Sequence, residues 1–238
     1  MLRHIPNFIT SLNLASGFIS VIFAFKGDLA AASWFVLAAM IFDFLDGFSA
    51  RLLKAYSDIG KELDSLADVV SFGVAPAVIL YQLIIVSLPG SVPSPVQYIP
   101  VIMPVCAALR LAKFNIDPAQ TVFFKGVPTP ASALAVISVV IAGQYTDSRL
   151  IESFTGSATA LIIFLVIISL LMVTRIPLLS LKMKHLKFRG NEGIYILITS
   201  AIASIAIFGV AGITLIIPLY IIVSLLLPLF GKPLIVNR

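Results

Sequence analysis

Long apolar runs separated by short polar segments dominate this chain of 238 residues. An α-helix needs about 17–25 apolar residues to cross the hydrocarbon core of a bilayer. The alternation of apolar and polar residues that is typical of membrane β-strands is missing. The pattern therefore predicts membrane helices over residues 8–25, 29–53, 62–86, 96–113, 129–145, 157–177, 193–209 and 212–230.

Composition strengthens this interpretation, because 60% of the residues are apolar and only 11% are charged. Such a composition is typical of an integral membrane protein and excludes an ordinary soluble domain. No repeat, low-complexity tract or soluble segment divides the chain. We expect an all-α, polytopic membrane helical bundle of about eight transmembrane helices, forming a single domain over residues 1–238. The last two helices should be joined by a tight turn that needs little more than Gly212.

The basic residues are distributed unevenly between the two sides that eight spans would define. Fourteen of the 16 Lys and Arg residues lie on the side of the termini, and only Lys26 and Arg149 lie on the other. Since cytoplasmic loops carry an excess of Lys and Arg, both termini are predicted to be cytoplasmic. The net charge of +5 is therefore attributed to topology and contact with membrane lipids, and no nucleic-acid partner is expected.

Four aspartates stand in two pairs beside apolar sequence. Asp43 and Asp46 have helical spacing i, i+3, and Asp64 and Asp68 have spacing i, i+4, so each pair shares a helix face. Carboxylates next to membrane helices are costly unless they are solvated, paired or bound to metal. Hard oxygen ligands suit Mg²⁺ or Mn²⁺, and two such ions suit phosphate chemistry. The pattern favours an enzyme with a divalent-metal centre.

Small residues accompany the aspartates. Gly47 and Ala50 follow Asp46 on nearly the same face, and Gly60 precedes Asp64 by one helical turn. Their lack of bulk would let a ligand approach the backbone closely, although small residues in membrane helices also serve tight helix packing. Arg51 offers a fork of donors that suits either phosphate oxygens or an aspartate.

These residues resemble the signature of the CDP-alcohol phosphatidyltransferase family, D-x2-D-G-x2-A-R-x8-G-x3-D-x3-D. All eight fixed positions are matched at the required spacing, by Asp43, Asp46, Gly47, Ala50, Arg51, Gly60, Asp64 and Asp68. The resemblance implies a CDP-linked lipid donor whose pyrophosphate is held by two divalent ions among the four aspartates. It also implies that Asp68 activates the acceptor hydroxyl, which attacks the lipid-side phosphorus while CMP leaves.

The same resemblance implies further site residues and a setting for the enzyme. The donor-binding residues would be Gly47, Ala50, Arg51 and Gly60, with Asn7 and Thr10 on the first helix. A homodimer in the cell (plasma) membrane is expected, with its active site at the cytoplasmic face.

Three further segments, within residues 110–117, 124–131 and 172–177, resemble members of this family that use L-serine as acceptor. The donor would then be CDP-diacylglycerol and the product phosphatidylserine. Serine carries a carboxylate and an ammonium group, so its pocket needs cations and an acidic or carbonyl partner such as Asp117. The candidate acceptor residues are Arg110, Asn115, Lys125, Thr129 and Arg175. Thr129 is expected to cap the fifth helix, with Pro130 at its first position.

Two alternatives stay open at this point. A phosphorylated acceptor, such as glycerol 3-phosphate or an inositol phosphate, would need dedicated cations, and Arg110 and Arg175 could supply them. A divalent-cation transporter would also use membrane carboxylates, but it predicts acidic residues near the bilayer midplane on several helices.

Overall fold

The computed structural model describes residues 4–88, 95–116, 124–179 and 191–227. These residues are almost entirely helical, which confirms the predicted all-α class. The α-helices are α1 (Ile5–Phe25), α2 (Leu29–Leu53), α3 (Asp58–Asp68), α4 (Ala75–Ser87), α5 (Ile102–Ile116), α6 (Thr129–Tyr145), α7 (Arg149–Thr155), α8 (Ala158–Val173), α9 (Glu192–Phe208) and α10 (Ile216–Leu226).

Shorter elements connect these helices. A π-helix, Val69–Val74, joins α3 to α4, and 3₁₀-helices over Pro95–Val101 and Gly209–Leu215 precede α5 and α10. Two short strands, β1 (Phe124–Lys125) and β2 (Pro177–Leu178), form an antiparallel ribbon. The ribbon joins the segment before α6 to the segment after α8.

By length and apolar composition, the structure has five helical runs that could cross a membrane, among the described residues. A sixth is obtained if α7 and α8, which meet at a bend of 83°, form one broken span. The protein is therefore polytopic and membrane-embedded. The α6 helix, at 17 residues, is shorter than these runs. The number of eight crossings and the cytoplasmic location of the termini stay predictions.

By length and composition, Glu192–Leu226 is one of these five helical runs. Its contacts show, however, that the run folds into a hairpin. The Ser204 hydroxyl donates to the Gly212 carbonyl at 3.2 Å, and a Cβ added to Gly193 would collide with Leu227 at the far end of the run. The chain therefore reverses between α9 and α10, where the sequence predicts a turn. The prediction that Gly212 makes the turn is wrong in detail: Gly209 has the positive φ of 59°, whereas Gly212 allows close packing against the Ser204 backbone.

Contacts at the two ends of the bundle fix which helix termini lie together. Asn7, at the start of α1, lies beside Gly60, at the start of α3. At the opposite end, the Trp34 indole donates to the Tyr145 hydroxyl at 3.4 Å, linking the start of α2 to the end of α6. The end of the bundle near Asn7 and Gly60 also contains the aspartates, so we call it the aspartate end.

Candidate active site

The turn between α2 and α3 brings the two aspartate-bearing helices together. Lys54 ends α2 in the left-handed conformation, with φ 50°, at a position that usually favours glycine. The Ser57 side chain then caps α3 by accepting the Gly60 N–H at 3.0 Å. This short connection folds α3 back next to the last turns of α2.

The structure brings three of the four aspartates into one cluster, and the fourth lies outside it. Asp43, Asp64 and Asp68 each offer a carboxylate oxygen within 4.8 Å of the others. Asp46, one turn after Asp43, lies outside this trio and is buried, with 6% of its surface exposed. One oxygen of Asp46 and one of Asp64 are buried without a hydrogen-bond partner.

This arrangement fits divalent metal ions. Two carboxylate oxygens no more than 4.8 Å apart repel each other by at least roughly 3 kcal/mol if both groups are ionised, at an effective dielectric constant of about 20. Among the described residues no Lys or Arg forms an ion pair with any of the four aspartates. Clustered carboxylate oxygens without a cationic protein partner are the donor set that Mg²⁺ and Mn²⁺ prefer. Asp43, Asp64 and Asp68, with Asp46 beside them, could therefore hold such ions.

A cavity of about 230 Å³ lies next to the trio. Asp46 and Asp64 line it, and so do all six residues that the resemblance implies for the donor: Asn7, Thr10, Gly47, Ala50, Arg51 and Gly60. Residues of the α2–α3 turn complete the wall, including Tyr56 and Ser57, with Lys61 on the first turns of α3. The structure thus brings together residues that are 53 positions apart in the sequence, from Asn7 to Gly60.

The two glycines of the cavity have different surroundings. Among the described residues, a Cβ at Gly47 would meet only the Arg51 guanidinium, at 3.7 Å, so none of the described helices packs against it. A Cβ at Gly60 would instead meet the Asn7 side-chain oxygen at 2.9 Å and the Ser57 hydroxyl at 3.0 Å. Gly47 therefore leaves open space in the cavity, whereas Gly60 permits the close approach of α1 to α3.

Asn13 is a site residue that sequence reasoning missed. It is fully buried, and its side-chain amide donates to Asp68 Oδ1 at 3.3 Å. Its backbone carbonyl accepts from the Ser71 hydroxyl at 3.0 Å, which ties α1 to the π-helix that follows Asp68. The available signal was its spacing: Asn7, Thr10 and Asn13 repeat every three residues, which places polar groups on one face of an apolar helix.

The predicted acceptor residues of α5 lie beside the aspartate helices. Arg110 is buried, with 8% of its surface exposed, and its Nε has no hydrogen-bond partner. Its guanidinium is close enough to the Asp68 carboxylate and the Tyr220 side chain for electrostatic interaction. The Asn115 side-chain amide donates to the Ser65 hydroxyl at 2.9 Å, and the Asn115 backbone carbonyl accepts from Lys61 Nζ at 3.1 Å. Asn115 therefore anchors α5 to α3.

The remaining predicted acceptor residues belong to the ribbon and the start of α6. Lys125 pairs with Pro177 in the ribbon, which places its backbone near that of Arg175, an exposed residue. The side chain of Lys125 and all of Asp117 lie outside the described residues. Thr129 is buried, and its hydroxyl has no partner.

The prediction that Thr129 caps the helix is wrong, because α6 begins at Thr129 itself and Pro128 occupies the cap position. Pro128 has a non-helical ψ of 145°, and no side chain caps the start of the helix.

The sequence model for CDP-alcohol phosphatidyltransferase matches residues 3–227. The chain belongs to the CDP-alcohol phosphatidyltransferase family. It is accordingly an enzyme, a transferase, and the cation-transporter alternative loses its support.

Similar proteins include three named CDP-diacylglycerol–serine O-phosphatidyltransferase. The Bacillus subtilis protein is 32% identical over 81% of this chain and 97% of its own length. The Helicobacter pylori (strain 26695) protein is 32% identical over 94% of this chain and 91% of its own length. The Mycobacterium leprae protein is 39% identical over 74% of this chain, an alignment that spans only 58% of that longer protein.

Proposed function

We propose that this phosphatidyltransferase moves the phosphatidyl group of CDP-diacylglycerol to the hydroxyl of L-serine, giving phosphatidylserine and CMP. The observation that carries the proposal is the cavity beside the aspartate trio, which all six implied donor residues line. The names of the relatives from B. subtilis, H. pylori and M. leprae support serine as the acceptor.

The donor would bind with its nucleotide in the cavity and its pyrophosphate toward the aspartates. The open space at Gly47 lets a phosphate or sugar approach the α2 backbone closely. Arg51 is exposed at the cavity wall and pairs with no aspartate, so its donors are available to phosphate oxygens. Asn7 and Thr10 would contribute polar groups from α1.

Asp43, Asp46, Asp64 and Asp68 would hold two divalent ions, either Mg²⁺ or Mn²⁺. When bound, such ions neutralise the charge that accumulates on the pyrophosphate and on departing CMP. The fit rests on the close carboxylate oxygens and on the buried oxygens of Asp46 and Asp64 that have no protein partner.

Asp68 is the proposed general base. It is buried, and the hydrogen bond from Asn13 orients its carboxylate through one oxygen, so that the remaining lone pairs would serve both a metal ion and the serine hydroxyl. Asp68 takes the hydroxyl proton as the serine oxygen forms a bond to the lipid-side phosphorus. The bond from that phosphorus to the CMP oxygen breaks in the same displacement, and CMP leaves with the electron pair.

The acceptor would lie between Asp68 and the cations of α5 and the ribbon. Arg110 is the residue best placed to receive the serine carboxylate, because it is buried near Asp68 with an unpartnered Nε. Arg175 and Lys125 would border the pocket from the ribbon, and the unpartnered Thr129 hydroxyl would add a donor. Asn115 supports the pocket by holding α5 against α3.

The proposed orientation in the membrane is based on the distribution of Lys and Arg residues. The aspartate end would face the cytoplasm, in the plasma membrane of the cell, because most Lys and Arg residues flank it. Water-soluble serine and CMP could then exchange there while the lipid substrate and product stay in the bilayer. The protein would form a homodimer, as the family resemblance implies.

The test is turnover by the purified protein with CDP-diacylglycerol, Mg²⁺ or Mn²⁺, and labelled alcohols offered one at a time. We expect labelled phosphatidylserine and equimolar CMP with L-serine. Turnover of glycerol 3-phosphate or an inositol phosphate without turnover of serine would reassign the acceptor. Absence of CMP release with every alcohol would contradict the proposed reaction.

A further inference from the structure

The hairpin of α9 and α10 carries none of the family signature, yet one of its helices is bonded to the ribbon. The Tyr220 hydroxyl donates to the Leu179 carbonyl at 3.0 Å, and the Leu179 N–H donates to the Ser224 hydroxyl at 3.1 Å. Ser224 in turn donates to the Tyr220 carbonyl at 2.7 Å. Both backbone polar groups of Leu179 are thus held by side chains of α10. We call Tyr220, Ser224 and Leu179 the Leu179 clamp.

The clamp is buried and packed. Leu179 and Tyr220 each expose 5% of their surface, and Ser224 exposes none. Leu179 and Tyr220 belong to a hydrophobic cluster that also includes Val127 and Leu178 of the ribbon region. Buried hydrogen bonds of this kind leave a costly unsatisfied group when one partner is removed, so they fix the position of the backbone they hold.

The backbone of Leu179 is close in sequence to residues of the proposed acceptor pocket. Leu179 follows β2, whose Pro177 pairs with Lys125 of β1. The Gly126 N–H donates to the Ile176 carbonyl at 2.9 Å, next to Arg175. A displacement of Leu179 would therefore shift the backbone from which Lys125 and Arg175 extend.

Tyr220 is also within electrostatic range of Arg110, another cation of the pocket, which is itself within electrostatic range of Asp68. One side chain of α10 thus bonds to the segment that carries Arg175 and interacts electrostatically with Arg110.

We propose that Tyr220 and Ser224 are positioning residues for the acceptor pocket, holding the backbone that carries Arg175 in the arrangement that selects the alcohol. This inference rests on the proposed function, since it assumes that Arg175 helps to receive the acceptor. The clamp bonds to the segment that follows β2, whereas the donor cavity is built from α1, α2, α3 and the turn between the last two. The clamp should therefore affect the acceptor and not the donor.

The experiment measures KM for L-serine and for CDP-diacylglycerol separately in Tyr220→Phe and Ser224→Ala. Each variant removes one hydrogen-bonding hydroxyl with little change in side-chain volume. We expect the serine KM to rise by about 5- to 30-fold, the factor that loss of one buried hydrogen bond produces, with the donor KM within about twofold. Ser224→Thr retains the hydroxyl and should restore much of the serine affinity.

Ser204→Ala is the matched control, because Ser204 is a buried serine of the same hairpin that bonds to Gly212 and not to Leu179. It should leave both KM values unchanged. Equal increases in both KM values, or no change in the clamp variants, would overturn the positioning role. Failure of the wild-type enzyme to use serine would instead contradict the proposed function.

A second measurement does not depend on turnover. Hydrogen exchange of residues 174–179 should accelerate in Ser224→Ala by about 5- to 30-fold, because the Leu179 amide loses its acceptor. The same segment should exchange at the wild-type rate in Ser204→Ala. Unchanged protection in Ser224→Ala would overturn the clamp even if that variant were too unstable for kinetic assay.

Discussion

Asn13 donates a hydrogen bond to Asp68 at 3.3 Å, across 55 positions of sequence, and both side chains are buried. Asp68 is the last aspartate of the signature and the proposed base. Its neighbours in the trio, Asp43 and Asp64, carry the same charge, so the amide of Asn13 is the neutral donor that fixes its orientation. The side-chain oxygen of Asn13, Oδ1, is buried without a hydrogen-bond partner.

Replacement of Asn13 by alanine should lower kcat about tenfold, since one hydrogen bond to a charged group contributes roughly 1.5 kcal/mol. The donor KM should change little, because Asn13 does not line the donor cavity. Steady-state kinetics at saturating serine measure this. Ser11→Ala is the control on the same helix, because Ser11 is exposed and bonds only to the Asn7 carbonyl. An Asn13→Ala enzyme with normal kcat would remove Asn13 from the site.

Asp64→Asn should remove metal-dependent stabilisation. A ligand that binds only the folded protein stabilises it by about 2.7 kcal/mol at a concentration of 100 times Kd. Thermal unfolding of detergent-purified protein, titrated with Mn²⁺, should therefore show a rise in Tm for the wild type and almost none for the variant. Asp58→Asn, a change at an exposed carboxylate of the same helix, should respond like the wild type. Equal Mn²⁺ responses in all three proteins would argue against the metal centre.

Gly47→Leu should fold and raise the donor KM by at least about tenfold, because the new side chain would occupy the space that the donor needs. The measurement is the KM for CDP-diacylglycerol at saturating serine. Ala38→Leu adds the same side chain to α2 in an apolar groove formed by residues such as Trp34 and Ile41, and should leave that KM unchanged. A normal donor KM in Gly47→Leu would show that the open space at Gly47 is not used by the donor.

Gly212→Ala should destabilise the protein by about 1–3 kcal/mol, because the added methyl group would collide with the Ser204 backbone. Neither KM should change in the protein that remains folded, since Gly212 lies in the α9–α10 turn and not in the donor cavity. Thermal unfolding gives the stability, with Gly143→Ala as control, where the nearest atom, on Ile151, is at an ordinary 3.6 Å. A Tm equal to that of the wild type would contradict the packing role.

The donor side of the site could be predicted from the sequence because its residues are local or part of a spaced signature. The aspartates and Gly47 lie on two consecutive helices, and one short turn suffices to bring them together. Asn7 and Thr10 required the family resemblance, since nothing in their own spacing says which helix they face. The structure places them at the same cavity.

The acceptor side was less accessible to sequence reasoning. The proximity of the Arg175 and Lys125 backbones depends on a two-residue ribbon that pairs Lys125 with Pro177, and so short a ribbon leaves no alternating pattern. The bonds from Tyr220 and Ser224 to Leu179 join residues more than 40 positions apart and involve backbone groups, which any residue would supply. In the sequence, Asn13 is only a polar residue within the first apolar run. Its role depends on the hydrogen bond to Asp68, which the structure shows.

The most direct test of the central claim, that the aspartates bind the CDP-lipid through divalent ions, is equilibrium binding of labelled CDP-diacylglycerol to the purified protein. Wild type, Asp64→Asn and the control Asp58→Asn would each be measured with Mn²⁺ and with EDTA. The account predicts tight binding by wild type and Asp58→Asn with Mn²⁺, and loss of binding with EDTA or in Asp64→Asn. Equal affinity with and without metal, or in Asp64→Asn and wild type, would contradict it.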